Sequence, residues 1–200
     1  MLENLPKKLK SKLGEIEEFY FKNSSYIDDI VLYGSSVRRT RPRDIDILVL
    51  LNGKNKREED RDFSYELRKL IEEEDSEMEI DVKGKYLEDL FNSDFLAGGS
   101  IILEGYSLVS EEFLARKLNL DTYTLFRYDL ENLDKNEKTK YTYSLKGRGE
   151  HSGILKDLEG LHLARGVILI PIQNTGEFKE FLERWGVKYE EYRIGMTTVL

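Results

Sequence analysis

Residues 31–51 read VLYGSSVRRTRPRDIDILVLL, and the fold of the first part of the chain follows from them. The apolar, β-prone run from about Asp29 to Tyr33 predicts a strand that stops at Gly34, a residue free to take positive φ or to let a ligand approach the backbone. Ser35 and Ser36 follow as hydroxyl donors. A short helix starting there would present free N–H groups and the positive end of its dipole to an anion. Arg38, Arg39, Arg41 and Arg43 add fixed positive charge, and Pro42 breaks any helix. Asp44-Ile45-Asp46 then opens an unbroken apolar run to Leu51, the pattern of a central strand covered on both faces. With a period of two, Asp44 and Asp46 project from one face. Two ionised carboxylates side by side repel, so beside an anion site they imply a divalent cation between them.

Gly34-Ser35, a short basic loop and Asp44-x-Asp46 together resemble the signature of the DNA polymerase beta-like nucleotidyltransferase superfamily, in its minimal archaeal and bacterial form. The resemblance implies an α/β fold with a mixed sheet flanked by helices. It implies that Gly34, Ser35 and Ser36 bind the triphosphate of a nucleoside triphosphate, that Arg38 contacts phosphate, and that Asp44 and Asp46 hold Mg2+, as two ions that Mn2+ can replace. It further implies a third carboxylate on a later strand that completes the metal set and takes the proton of the attacking hydroxyl. Two positions depart from the family pattern: Arg39 stands where a second glycine is common, and Arg43 where a serine often precedes the first aspartate.

The segment Glu77 to Lys83 supplies that carboxylate. It alternates with Met78, Ile80 and Val82 on one face and Glu79, Asp81 and Lys83 on the other, which predicts a strand. Asp81 lies in the apolar triplet Ile80-Asp81-Val82 and matches the place of the family's third acid. An acid on a polar strand face is ordinarily surface decoration; the Asp-x-Asp strand upstream changes that reading, because a two-metal site needs several oxygen ligands on adjacent strands. The expected catalytic and metal-binding set is therefore Asp44, Asp46 and Asp81. The expected reaction moves a nucleoside monophosphate to an acceptor hydroxyl on RNA or protein, with release of pyrophosphate. The alternative is a non-catalytic nucleotide- or RNA-binding regulatory module, such as an antitoxin-like partner. The intact three-acid set favours catalysis.

Composition limits the remaining choices. Two hundred residues, 40% of them hydrophobic, allow one domain or two small ones with a sizeable core. Without cysteine there are no disulfides and no thiolate metal sites. No apolar run reaches the roughly 18 residues of a membrane span and no signal-peptide pattern precedes the first helix, so no membrane partner and a cytoplasmic location are expected. A net charge of −8 argues against a uniformly basic nucleic-acid coat, so such a partner would need a local patch.

Elsewhere the periodicities are ordinary. Leu5, Leu9, Leu13, Ile16 and Phe19 predict an amphipathic helix on the sheet, and Phe63, Leu67, Leu70 and Ile71 another after an exposed charged loop at 54–62. Leu87, Leu90 and Phe91 suggest a third helix, Gly98-Gly99-Ser100 a helix start rather than a phosphate loop, and Tyr106 to Val109 a short edge strand. A boundary at 119/120 separates a catalytic domain, 1–119, from a small α/β domain, 120–200. In the latter, strands are expected at Tyr123 to Leu130, Val167 to Pro171 and Val187 to Ile194. Helices are expected from a capping box at Asp134 and Glu137, over Ile154 to Leu158, and along the Phe178, Phe181, Leu182, Trp185 stripe. Basic residues around Tyr141 and Tyr143 make Lys138, Tyr141, Lys146 and Arg148 a candidate surface for single-stranded nucleic acid. Over 121–200, twelve Lys and Arg face thirteen Asp and Glu, so this is a patch on a balanced surface. His151 and His162 read as surface or packing residues. The acceptor, the nucleobase and the oligomeric state carry no sequence signal.

Overall fold

The computed structural model describes residues 5, 7–38, 44–53, 62–72 and 79–197. The chain divides into two compact units, Met1–Asn119 and Leu120–Leu200.

The first unit carries helix α1 (Lys7–Lys22), strand β1 (Ile27–Tyr33), the single turn α2 (Ser35–Arg38), strand β2 (Asp44–Leu51), helix α3 (Phe63–Ile71), strand β3 (Glu79–Tyr86), helix α4 (Gly98–Glu104) and the short strand β4 (Tyr106–Ser107). Its sheet runs β3-β2-β1-β4. β1 pairs antiparallel with both neighbours, whereas β2 and β3 are parallel, joined by a crossover that contains α3. A mixed sheet flanked by helices is what the motif implied. Ile45, Ile47 and Val49 face the side covered by α1 and α3, with Leu9, Ile16 and Leu67 against them. Leu48 and Leu50 face the other side, with Val31, Tyr33, Leu90 and Ile101. β2 is thus the central strand, and its continuous apolar run reflects two packed faces. Each fully buried Leu, Ile or Val contributes about 2 kcal/mol, against about 0–1 kcal/mol for an exposed ion pair; packing of β2, not surface charge, fixes the register.

α3 starts where Asp62 caps it, its carboxylate accepting from the Tyr65 N–H, and carries Glu66 in its first turn and Arg68 and Lys69 in its last, complementing the dipole. β3 continues to Tyr86, because the apolar partner strand goes on offering pairs from Lys83↔Leu48 to Tyr86↔Leu51. The expected helix at Leu87 is a 3-10 turn, Leu87–Phe91, in which only Leu90 is buried. Gly98 opens α4 as expected; a side chain there would collide with the Leu90 carbonyl, so close packing explains this glycine. The first residues expected in β3, Glu77 and Met78, and most of the charged loop after Gly53 lie outside the described residues.

The second unit carries β5 (Asp121–Tyr128), α5 (Lys135–Lys146), a two-residue hairpin of β6 (Gly147–Arg148) and β7 (His151–Ser152), α6 (Ile154–Asp157), β8 (Leu161–Ala164), β9 (Val167–Pro171), α7 (Thr175–Arg184) and β10 (Tyr189–Met196). Its main sheet has the order β10-β5-β9-β8 and is antiparallel throughout. With α5 and α7 as crossovers this is a split β-α-β arrangement. The capping box forms as expected: Asp134 accepts from the Asn136 and Glu137 N–H groups, and Glu137 accepts from the Asp134 N–H. The sequence did not reveal β8, an edge strand whose four residues are all exposed and so carry no buried alternation. Tyr141 corrects an expectation. It lies in the core at 1% exposure, its ring against Tyr128, Phe181 and Trp185, because its helical spacing with Leu145 turns it inward; it is not a surface for stacking bases. Among the described residues, no helix is long and apolar enough to cross a membrane.

Candidate active site

Three strand ends of the first unit meet at the motif. β1 ends at Tyr33, whose register partner on β2 is Asp46. Asp46 in turn faces Asp81 on β3, and Asp44 faces Glu79. Register partners leave a sheet on the same side, and residues two apart do likewise. Tyr33, Asp44, Asp46 and Asp81 therefore share the face that Leu48 and Leu50 occupy further along β2.

The bend between β1 and β2 is built around these acids. Gly34 has φ +69°, and a Cβ on it would stand 2.5 Å from Asp46 Oδ2, so the position requires glycine both for its conformation and for room beside the carboxylate. Ser35 donates its hydroxyl to Asp44 Oδ1 at 2.7 Å, and Ser36 donates to the Asp44 carbonyl at 2.8 Å. Ser36 is 2% exposed. Its side chain was expected on phosphate; instead it is enclosed and ties the turn to the start of β2. Asp44, Asp46 and Asp81 are all half-buried, which leaves carboxylate surface reachable from solvent.

Two residues that sequence reasoning passed over complete the face. Lys83 Nζ lies 2.6 Å from Asp81 Oδ2. That hydrogen bond raises the lysine's pKa, helped by the Tyr33 hydroxyl and by the charges of Asp81 and Asp46, with partial burial opposing. Burial raises the Tyr33 pKa; Lys83 opposes the shift and Asp46 and Asp81 add to it. The signal for Lys83 was its place on the same period-two face as Asp81. The signal for Tyr33 was its position beside Gly34, and neither residue type announces a role by itself.

The donor set fits a hard divalent cation, since all the available ligands are carboxylate or hydroxyl oxygens and no sulfur is present. Among the described residues, no three carboxylate or imidazole side chains stand close enough together to hold one ion, and Asp81 is engaged with the Lys83 ammonium. Asp44 and Asp46, two residues apart on β2, project from the same face. Arg38 closes α2, but its side chain, like Arg39, Arg41 and Arg43, lies outside the described residues.

In the second unit three of the four residues expected to touch nucleic acid line one cavity, Lys138 and Lys146 exposed and Tyr141 from the core, while Arg148 stacks its guanidinium over the Tyr143 ring at 4.7 Å.

A comparison with protein-family models matches residues 11–102 to the nucleotidyltransferase domain. No curated protein and no solved structure matches the chain.

Proposed function

Because residues 11–102 form a nucleotidyltransferase domain of the polymerase beta-like superfamily, we propose that this transferase moves a nucleoside monophosphate from a nucleoside triphosphate to an acceptor hydroxyl on RNA or protein. The observation that carries the reading is the juxtaposition of Asp46 and Asp81 on adjacent strands, with Gly34 against the Asp46 carboxylate. Asp44 and Asp46 would hold Mg2+, or Mn2+ in its place. When bound, the metal supplies neutralisation of phosphate charge and polarisation of the reacting phosphoryl group.

The chain's own residues do the positioning. Ser35 orients Asp44 by donating to its carboxylate, and Gly34 leaves the backbone open to the triphosphate where any side chain would block it. Asp81 accepts the proton of the acceptor hydroxyl as its oxygen bonds to the α-phosphorus and the bond to pyrophosphate breaks. For that, Lys83 must release Asp81 Oδ2, and the freed ammonium is then a cation available to the phosphates. Arg38 is the arginine assigned to phosphate contact.

Incubation with each labelled nucleoside triphosphate, Mg2+ and either total RNA or cell protein tests this. A labelled RNA or protein band that disappears in Asp44→Ala and Asp46→Ala is the expected result. Undiminished labelling by those variants overturns the site assignment, and nucleotide binding without any labelled product favours a non-catalytic nucleotide-binding module.

A further inference from the structure

The second unit holds a cavity of about 570 Å³ that the transferase reading does not use. α5 forms one wall with Lys138, Tyr141, Thr142, Leu145 and Lys146. The segment from Tyr128 to Glu131 forms another, and His162, Arg165 and Gly166 from β8 and the turn into β9 close it. The volume is that of a small-molecule site, commonly about 300–1,000 Å³.

Two features of this cavity point to a ligand. Lys138, Lys146 and Arg165 line it together, and among the described residues none of them pairs with a carboxylate, the Asp129 and Glu131 that share the lining included. Cations left unpaired around one concavity favour an anion there. The second feature is the Tyr141 hydroxyl. It is buried without a well-formed hydrogen bond, and the neighbouring Tyr128 hydroxyl interacts with it only weakly. A buried hydroxyl whose hydrogen bonding is incomplete is costly, and a bound oxygen acceptor would remove that cost. Asp129 and Glu131 add acceptors for ligand hydroxyls, and Leu145 an apolar wall.

We propose that this cavity binds a small, hydroxylated, phosphate-bearing molecule of nucleotide size, with Lys138, Lys146 and Arg165 on its phosphate and Tyr141 donating to one of its oxygens. The site is made of second-unit residues alone and stands or falls separately from the transferase assignment.

The test uses the full chain carrying Asp44→Ala and Asp46→Ala, so that the first unit's nucleotide site does not contribute. Binding of adenosine monophosphate, ribose phosphate, inorganic phosphate and unphosphorylated adenosine is measured by calorimetry, beside a single-stranded RNA oligomer. The expected result is binding of the two phosphorylated compounds, no binding of adenosine, and at least about a tenfold loss on adding Lys146→Gln with Arg165→Gln, since charge-assisted hydrogen bonds to phosphate are the strong ones. Tyr141→Phe should weaken binding while leaving the ligand-free melting temperature equal or higher, because it removes a hydroxyl whose hydrogen bonding is incomplete. Failure of the phosphorylated probes to bind, binding indifferent to Lys146→Gln with Arg165→Gln, or a Tyr141→Phe variant that melts lower overturns the proposal. Binding of the RNA oligomer alone overturns it in favour of a nucleic-acid surface.

Discussion

Asp46 on β2 and Asp81 on β3 are register partners in a parallel pair, so one pleat of the sheet carries two carboxylates on the same face. Asp46 also lies beside the Gly34 bend, which makes it the acid common to both halves of the site. Asp46→Asn, which keeps the side chain's shape and removes its charge, should lower nucleotidyl transfer by at least about a hundredfold without lowering the melting temperature. Retained transfer at saturating Mg2+ would place the metal elsewhere.

Gly34→Ala tests the bend. A left-handed φ costs a residue with a Cβ roughly 1–2 kcal/mol, and here that Cβ would press on Asp46 Oδ2. Denaturant unfolding should show a loss of that order, together with a fall in activity larger than the stability change explains. An active, fully stable alanine variant would mean that neither the turn nor the clearance matters.

Lys83→Met separates two roles for the cation that holds Asp81. The pair is exposed enough, at 51% and 41%, to contribute at most about 1 kcal/mol to folding. If the released ammonium stabilises phosphates, the variant loses kcat and keeps its melting temperature. If Lys83 only restrains Asp81, kcat is maintained or rises. Steady-state kinetics beside a thermal melt distinguish the two.

Much of the local structure around the candidate site was legible before the fold was known, and the reasons are local. The Gly34 turn and the alternation Asp44-x-Asp46 are short-range patterns, and β2's unbroken apolar run told of burial on both sides. Asp81 was reachable because its strand alternates cleanly. Lys83's ion pair and Tyr33's place beside the acids depend on which strands become neighbours, and no single-strand pattern encodes that. Ser36 misled because a hydroxyl reads the same whether it meets phosphate or the Asp44 carbonyl. Tyr141 misled because charged neighbours on α5 drew attention to the outward face while its own spacing with Leu145 pointed inward.

Asp29 is 4% exposed on β1, where Oδ1 accepts from the Ser107 hydroxyl at 2.6 Å and from the Ile30 N–H, while Oδ2 accepts from Lys117 Nζ at 2.7 Å. This arrangement pins the short edge strand β4 to β1. Lys117→Met would leave a nearly enclosed carboxylate without its counter-charge, at a cost of about 1.5–3 kcal/mol for a hydrogen bond to a charged group. The companion Asp29→Asn should recover part of it in the double variant. An additive double variant would show that the two side chains do not act together.

Alkaline pH should destabilise the chain, and the sign follows from groups whose folded pKa is raised. Burial raises the phenols of Tyr33, Tyr128 and Tyr141, with Tyr141 shifted furthest, and the hydrogen bond to Asp81 raises Lys83. A group that holds its proton more tightly when folded contributes stability that is complete below its unfolded pKa, about 10 for tyrosine and about 10.4 for lysine, and that disappears as pH rises through the folded value. The melting temperature should therefore be flat through neutral pH and fall beyond about pH 10. Tyr141→Phe should make the fall shallower, because the unfolded chain then gains one fewer phenolate. Ultraviolet titration gives a direct check: part of the absorbance of the 12 tyrosines should appear only as the protein unfolds. Titration of all of them together while the chain remains folded would show that these rings are not enclosed as described.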